Sequence, residues 1–129
     1  MPTALVVEDE VWVAGEIQEC LEALGFAPVL VASNGQQALE LLRQSPLAFD
    51  LVLLDFTMPV LSGEDTLREI RKIRPTLPVI LSSGFNEVEA IRRFQGQGVS
   101  GFVQKPYTAA TLARSVKAAL TQHFRAEGQ

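Results

Sequence analysis

Cysteine is almost missing from this sequence: Cys20 is the single one among 129 residues. No internal disulfide can form, and such sparing use suits a reducing compartment. Basic residues are outnumbered, 11 Lys and Arg against 15 Asp and Glu, for a formal net charge of −4. That balance disfavours non-specific binding to nucleic acid or to a membrane surface, since either wants a basic patch. Long apolar runs are missing too. None approaches the ~18 residues of a membrane span, and the amino terminus lacks the basic-then-apolar layout of a signal peptide. No internal repeat, low-complexity tract or linker interrupts the chain. What remains is 47% hydrophobic and 20% charged, an ordinary globular composition that argues against disorder. The length fits one domain. A domain of this size buries roughly two-thirds of its unfolded surface and needs neither a disulfide nor a metal to fold. The expectation is a small, acidic, soluble domain of the cytoplasm.

Apolar runs of four to six residues alternate with amphipathic stretches of about a dozen. Ala4-Leu5-Val6-Val7 reads as a buried strand; Val13, Ile17, Cys20, Leu21 and Leu24 then recur at helical spacing, with Gly25 as the stop. Pro28 to Ala32 is a second strand, and Ser33-Asn34-Gly35 is a turn able to cap a helix carrying Ala38, Leu39, Leu41 and Leu42. Leu51-Val52-Leu53-Leu54 is the most uniformly apolar strand and ends on Asp55. A loop with Pro59 and Gly63 leads to a helix carrying Leu67, Ile70 and Ile73. Pro78 to Leu81 is a fourth strand, with Val88, Ile91 and Phe94 on the helix after it. Phe102-Val103-Gln104 is a fifth strand, and the last helix carries Leu112, Val116, Ala119 and Leu120. Beyond Leu120 the pattern is lost, so a fraying tail is expected, with His123 in it and without a role. Five continuous apolar strands alternating with five helices indicate a parallel sheet covered on both faces.

In such a sheet the active crevice lies at the carboxyl ends of the strands. The first strand ends in Glu8-Asp9-Glu10, the third in Asp55, the fourth in Ser82-Ser83-Gly84 and the fifth in Lys105-Pro106. Converging carboxylates repel, and burying them unpaired costs several kcal/mol. A lysine ammonium and a hard divalent cation could both relieve that repulsion, and oxygen ligands suit Mg²⁺. An ionised aspartate facing Mg²⁺, a lysine and a hydroxyl is equipped to accept a phosphoryl group. Singly, each residue has an ordinary reading: a helix-start acid cluster, a turn aspartate, a surface lysine, a turn hydroxyl. Their meeting on one sheet edge is what argues for a site. Cys20 reads as an inert residue of an apolar helix face. Trp12 lies either near the pocket mouth or half-buried on its helix.

Val7-Glu8-Asp9-Glu10, Leu54 to Pro59 with Gly63, Leu81-Ser82-Ser83-Gly84, and Gly101 to Pro106 together resemble the receiver domain of two-component response regulators. The resemblance runs from about Ala4 to about Leu120. Ser83 stands 28 residues and Lys105 50 residues beyond Asp55, both typical of that family. It implies a flavodoxin-like (βα)5 fold, doubly wound, with a five-stranded parallel sheet in the order 2-1-3-4-5 and helices on both faces. Residues 1–122 would be the receiver domain and 123–129 a C-terminal tail. Asp55 would be the phosphoacceptor, and Mg²⁺ would be held by Glu8, Asp9, Asp55 and the Thr57 backbone carbonyl, Glu8 acting through a metal-bound water. Ser83, rather than Ser82, would bond the phosphoryl group, because Gly84 follows it. Lys105 would pair with the phosphoryl oxygens ahead of a cis bond to Pro106. Phe102 holds the switch-aromatic position, here without a hydroxyl. Thr57 and Phe85 stand where the family tunes phosphoryl lifetime, and a bulky Phe85 would hinder an attacking water.

The implied partners are a histidine kinase or histidine phosphotransfer domain, and a downstream protein on the face formed by the helix from about Asn86 to Gln95, the fifth strand and the last helix. A weak dimer is also allowed, while nucleic acid and membrane are not expected as direct partners. The chain would be a signalling switch with self-catalysed phosphorylation and dephosphorylation, not an enzyme turning over a metabolite. Its parent would be a stand-alone regulator or a hybrid sensor histidine kinase. Three rivals stay open. A degenerate receiver used only for binding would fail to form an Asp55 adduct. An aspartyl-phosphate hydrolase wants a second aspartate where Thr57 stands. A flavodoxin-like flavin protein wants Gly, Ser and Thr after the first strand, where acids are found.

Overall fold

The computed structural model describes residues 2–56, 62–84, 92, 99–105 and 107–127, with side chains as far as residue 121. Its elements are β1 (Ala4–Val7), α1 (Val11–Ala23), β2 (Val29–Ala32), α2 (Gly35–Gln44), β3 (Leu51–Asp55), α3 (Gly63–Ile73), β4 (Val79–Ser83), β5 (Gly101–Gln104) and α4 (Ala109–Glu127). All strand pairs are parallel, and the sheet order is β2-β1-β3-β4-β5. This is the expected doubly wound arrangement. The expected helix from Asn86 to Gln95 falls outside the described residues.

Strand alternation divides the core in two. Val7, Leu54 and Leu81 face one side, where Leu39 and Leu42 of α2 and Leu67 and Ile70 of α3 cover them. Val6, Leu53, Ile80 and Val103 face the other, under Ile17 and Leu21 of α1 and Leu112 and Val116 of α4. The buried leucines each contribute about 1.5–3 kcal/mol by leaving water. Coverage thins at the β2 edge, where Leu30 and Val31 stay 37% and 41% exposed; an edge strand has a neighbour on one side only.

Local chemistry sets the ends of the elements. Asn34 caps α2, its side chain accepting from the Gln37 amide at 2.9 Å, and Ser62 caps α3 by accepting from the Asp65 amide at 3.1 Å. Gly25 closes α1 at φ 104°, a conformation costly for any residue with a Cβ. The next turn carries a cis Ala27–Pro28 bond. Two boundaries differ from the sequence expectation. β4 runs on through Ser83, because its backbone stays paired with Gln104 after the apolar run has ended. The last helix continues to Glu127 rather than fraying after Leu120; loss of the apolar stripe ends packing, not helical hydrogen bonding. His123 lies on that extension, and its side chain is outside the described residues.

Candidate functional site

The alternation that fills the second core face also builds the site. Glu8 follows Val6, Asp55 follows Leu53, Ser82 follows Ile80 and Lys105 follows Val103 by two residues, so all four turn to the α1/α4 side at the carboxyl edge. Glu8 and Asp55 are buried, 2% and 3% exposed, whereas Asp9 is exposed. One carboxylate oxygen from each of the three lies within 4.8 Å of the others. Lys105 reaches across from the sheet edge: its Nζ stands 3.2 Å from Glu8 Oε1 and 3.2 Å from Asp55 Oδ1. Its backbone amide is anchored as well, donating to the Ser83 carbonyl at 2.7 Å.

The electrostatics follow from two buried carboxylates sharing one ammonium. Burial, then repulsion from Asp55, pushes the Glu8 pKa from 4.5 to about 7, against the Glu10 amide and Lys105. Burial pulls the Lys105 pKa down, but the charges of Asp55 and Glu8 together outweigh it, so the net shift is upward. The ammonium is thus locked on, while Glu8 titrates near neutrality.

Ser83, the expected phosphoryl ligand, is buried at the end of β4, and so is Ser82, which the register places beside Asp55. Phe102, the expected switch aromatic, is half-buried against the α2/α3 core and pairs with Leu81. Thr57, Phe85 and Pro106 lie outside the described residues.

Gly63 has a job the sequence reading did not assign. A Cβ there would stand 2.8 Å from the Phe56 Cα and carbonyl oxygen, and its amide donates to that oxygen at 3.2 Å. Only a glycine lets α3 begin this close to the segment leaving Asp55. Cys20 is half-buried and packs against the core on the apolar face of α1; it and an exposed Trp12 line a groove of about 620 Å³ between α1 and α4. The groove also touches Lys105 and Tyr107 but none of the three carboxylates. Tyr107 was legible only as Lys105 plus two.

The comparison with known proteins decides what this edge belongs to. A family model described as the response regulator receiver domain matches residues 4–117. The chain belongs to that family. This receiver domain is 35% identical over 115 residues to the sensor kinase CckA of Brucella abortus, covering 89% of the chain and 12% of that protein. It is 33% identical over 129 residues to the transcriptional regulatory protein CpxR of Klebsiella pneumoniae, covering 100% of the chain and 53% of that protein. The chain therefore spans about half or less of these relatives. Among solved structures, a receiver domain protein of Clostridium thermocellum superimposes with a TM-score of 0.85 at 32% identity, covering 95% of this chain and 96% of that one. Receiver domains are signalling modules rather than classical enzymes, and they generally bind Mg²⁺ at an acidic pocket. The donor set here fits: three hard carboxylates converge with one lysine to offset them. Among the described residues, no helix is long and apolar enough to cross a membrane.

Proposed function

We propose that this receiver domain is a phosphoacceptor switch in a cytoplasmic two-component phosphorelay, with Asp55 taking a phosphoryl group from a phosphohistidine of a histidine kinase or histidine phosphotransfer domain. The observation that carries this reading is Lys105, whose ammonium lies 3.2 Å from the buried Asp55 and 3.2 Å from the buried Glu8. An Asp55 carboxylate oxygen attacks phosphorus in line, forming the O–P bond as the P–N bond breaks, and the departing imidazole takes up a proton. Lys105 then pairs with the phosphoryl oxygens, and Ser83 bonds one of them from the end of β4. Glu8, Asp9, Asp55 and the Thr57 carbonyl would hold Mg²⁺, with Glu8 acting through a water. Bound there, the cation would neutralise charge on the transferring group. Water attack on the acyl phosphate returns the site to its starting state.

Phosphorylation then favours a pre-existing arrangement by its differential contacts with Ser83 and Lys105. The shifted surface comprises β5 with Phe102, α4 and the stretch from Asn86 to Gln95, and a downstream protein reads it. Relatives of both kinds, a sensor kinase and transcriptional regulators, support either a hybrid kinase or a regulator as parent. The test is phosphotransfer profiling against a panel of histidine kinases with Mg²⁺, using Asp55→Ala as control. Labelling by a subset of kinases that vanishes in Asp55→Ala is expected. Labelling that survives the substitution refutes the assignment.

A further inference from the structure

The groove between α1 and α4 takes no part in the chemistry above. It measures about 620 Å³, inside the roughly 300–1,000 Å³ range of small-molecule sites. Its apolar lining is continuous with the core: Ile17 of α1 and Leu112 of α4 are 4% and 1% exposed, and Val13 packs against the same cluster. Trp12 also lines it and stays 67% exposed. A bare indole beside an apolar floor suits an apolar guest better than water. On α4 the lining stops at Leu112, in the first turn of that helix. The concavity is therefore short, and it matches a small guest better than a docked helix.

The charges decide what kind of guest. Three charged side chains line the groove: Glu10, Glu16 and Lys105. The Lys105 ammonium is already held 3.2 Å from Glu8 Oε1 and 3.2 Å from Asp55 Oδ1, so two buried carboxylates offset it. Glu10 and Glu16 are exposed and form no ion pair among the described residues. α1 itself carries Glu16, Glu19 and Glu22 and no Lys or Arg. The groove thus presents negative charge that no neighbouring cation answers. Glu16 stands four residues after Trp12, on the same side of α1, which makes a carboxylate and an indole available to one cation. The face of an indole attracts an ammonium through its quadrupole. An anion brought to this rim would only add to the repulsion there.

We propose that this groove is a binding site for an apolar organic cation, an aryl- or alkylammonium whose hydrocarbon part lies on Ile17 and Leu112 and whose ammonium meets Trp12 and the carboxylates of Glu10 and Glu16. The site is separate from the phosphoacceptor edge, because the groove touches none of Glu8, Asp9 and Asp55. It does not depend on the role of Asp55.

Trp12 is the only tryptophan in the chain, so its indole N–H gives a single signal in ¹⁵N–¹H spectra. The probe is phenylbutylammonium, with phenylbutanol as its uncharged counterpart and phenylbutanoate as its anionic one. Phenylbutylammonium is expected to shift the indole signal saturably and to bind at least about threefold more tightly than phenylbutanol, with phenylbutanoate weaker than either. Added salt should erode that preference. Both glutamates are exposed, and Glu10 makes no side-chain cap bond on α1, so Glu10→Gln with Glu16→Gln should keep the fold. That double variant should bind the ammonium and the alcohol alike. Trp12→Ala should weaken the ammonium more than the alcohol, read on the Ala109 amide. Equal affinity of the wild type for ammonium and alcohol, or a preference that survives the double variant, overturns the proposal. A wild-type indole signal that ignores phenylbutylammonium overturns it too. If a Lys- and Leu-rich amphipathic helical peptide shifts that signal instead, the groove is a protein-docking face.

Discussion

Replacing Glu8 with glutamine should make the protein more stable at pH 8 and no more stable at pH 4.5, in metal-free buffer. Glu8 binds its proton more tightly in the folded chain, with a pKa near 7 against 4.5 when unfolded. A raised carboxyl pKa leaves stability intact below 4.5, erodes it as pH rises, and leaves it at its lowest above 7. At about 1.4 kcal/mol per pH unit, that gap is worth about 3 kcal/mol. Glutamine keeps an acceptor for the Glu10 amide, which Glu8 Oε2 receives at 3.2 Å, and cannot ionise. The gain at pH 8 should raise the melting temperature by about 10 °C for a domain of this size. The assay is thermal unfolding of both proteins in EDTA from pH 4.5 to 8.5. Millimolar Mg²⁺ at pH 8 should narrow the difference, because the cation rewards the ionised carboxylate that the variant lacks. A stability difference independent of pH, or a variant less stable at pH 8, would refute the reasoning.

Lys105→Ala leaves Glu8 and Asp55 buried together without their ammonium. It should cut phosphotransfer to Asp55 at least tenfold and raise the apparent pKa of Glu8 further, read by the labelling rate and by carboxyl ¹³C titration. Gly63→Ala drives a Cβ against the Phe56 backbone at 2.8 Å. It should cost about 1–3 kcal/mol in urea denaturation and slow labelling of Asp55, one residue away. Asn34→Ala removes the cap on α2 and touches none of the residues assigned to phosphoryl transfer. It should cost about 1 kcal/mol with no change in labelling rate.

Much of this was legible in the sequence, for identifiable reasons. The runs ending at Val7, Leu54, Leu81 and Gln104 are parallel strands of one sheet, so their carboxyl ends had to meet at one edge. That logic collected Glu8-Asp9-Glu10, Asp55 and Lys105, the family resemblance singled out Glu8 and Asp9 among the acids, and Glu8, Asp55 and Lys105 do meet. What escaped was whatever depends on register and close approach. Gly63 reads as a loop residue until Phe56 is found beneath it. Ser82 and Ser83 are adjacent in sequence, and only strand pairing separates the one beside Asp55 from the one on the alternate face. The end of the last helix was misjudged because the apolar stripe that marks packing stops before the backbone does.

Lys105 is fastened at both ends, by its amide to β4 and by its ammonium to residues at the ends of β1 and β3. In the order β2-β1-β3-β4-β5, the side chain therefore spans β4 like a stay on a mast. β5 is an edge strand, held in the sheet by β4 alone, and the stay gives it a second mooring in the middle. Of the two edge strands, β5 is the one tied in this way to the acidic edge, so a change of charge at the centre of the sheet would act on the rim through Lys105.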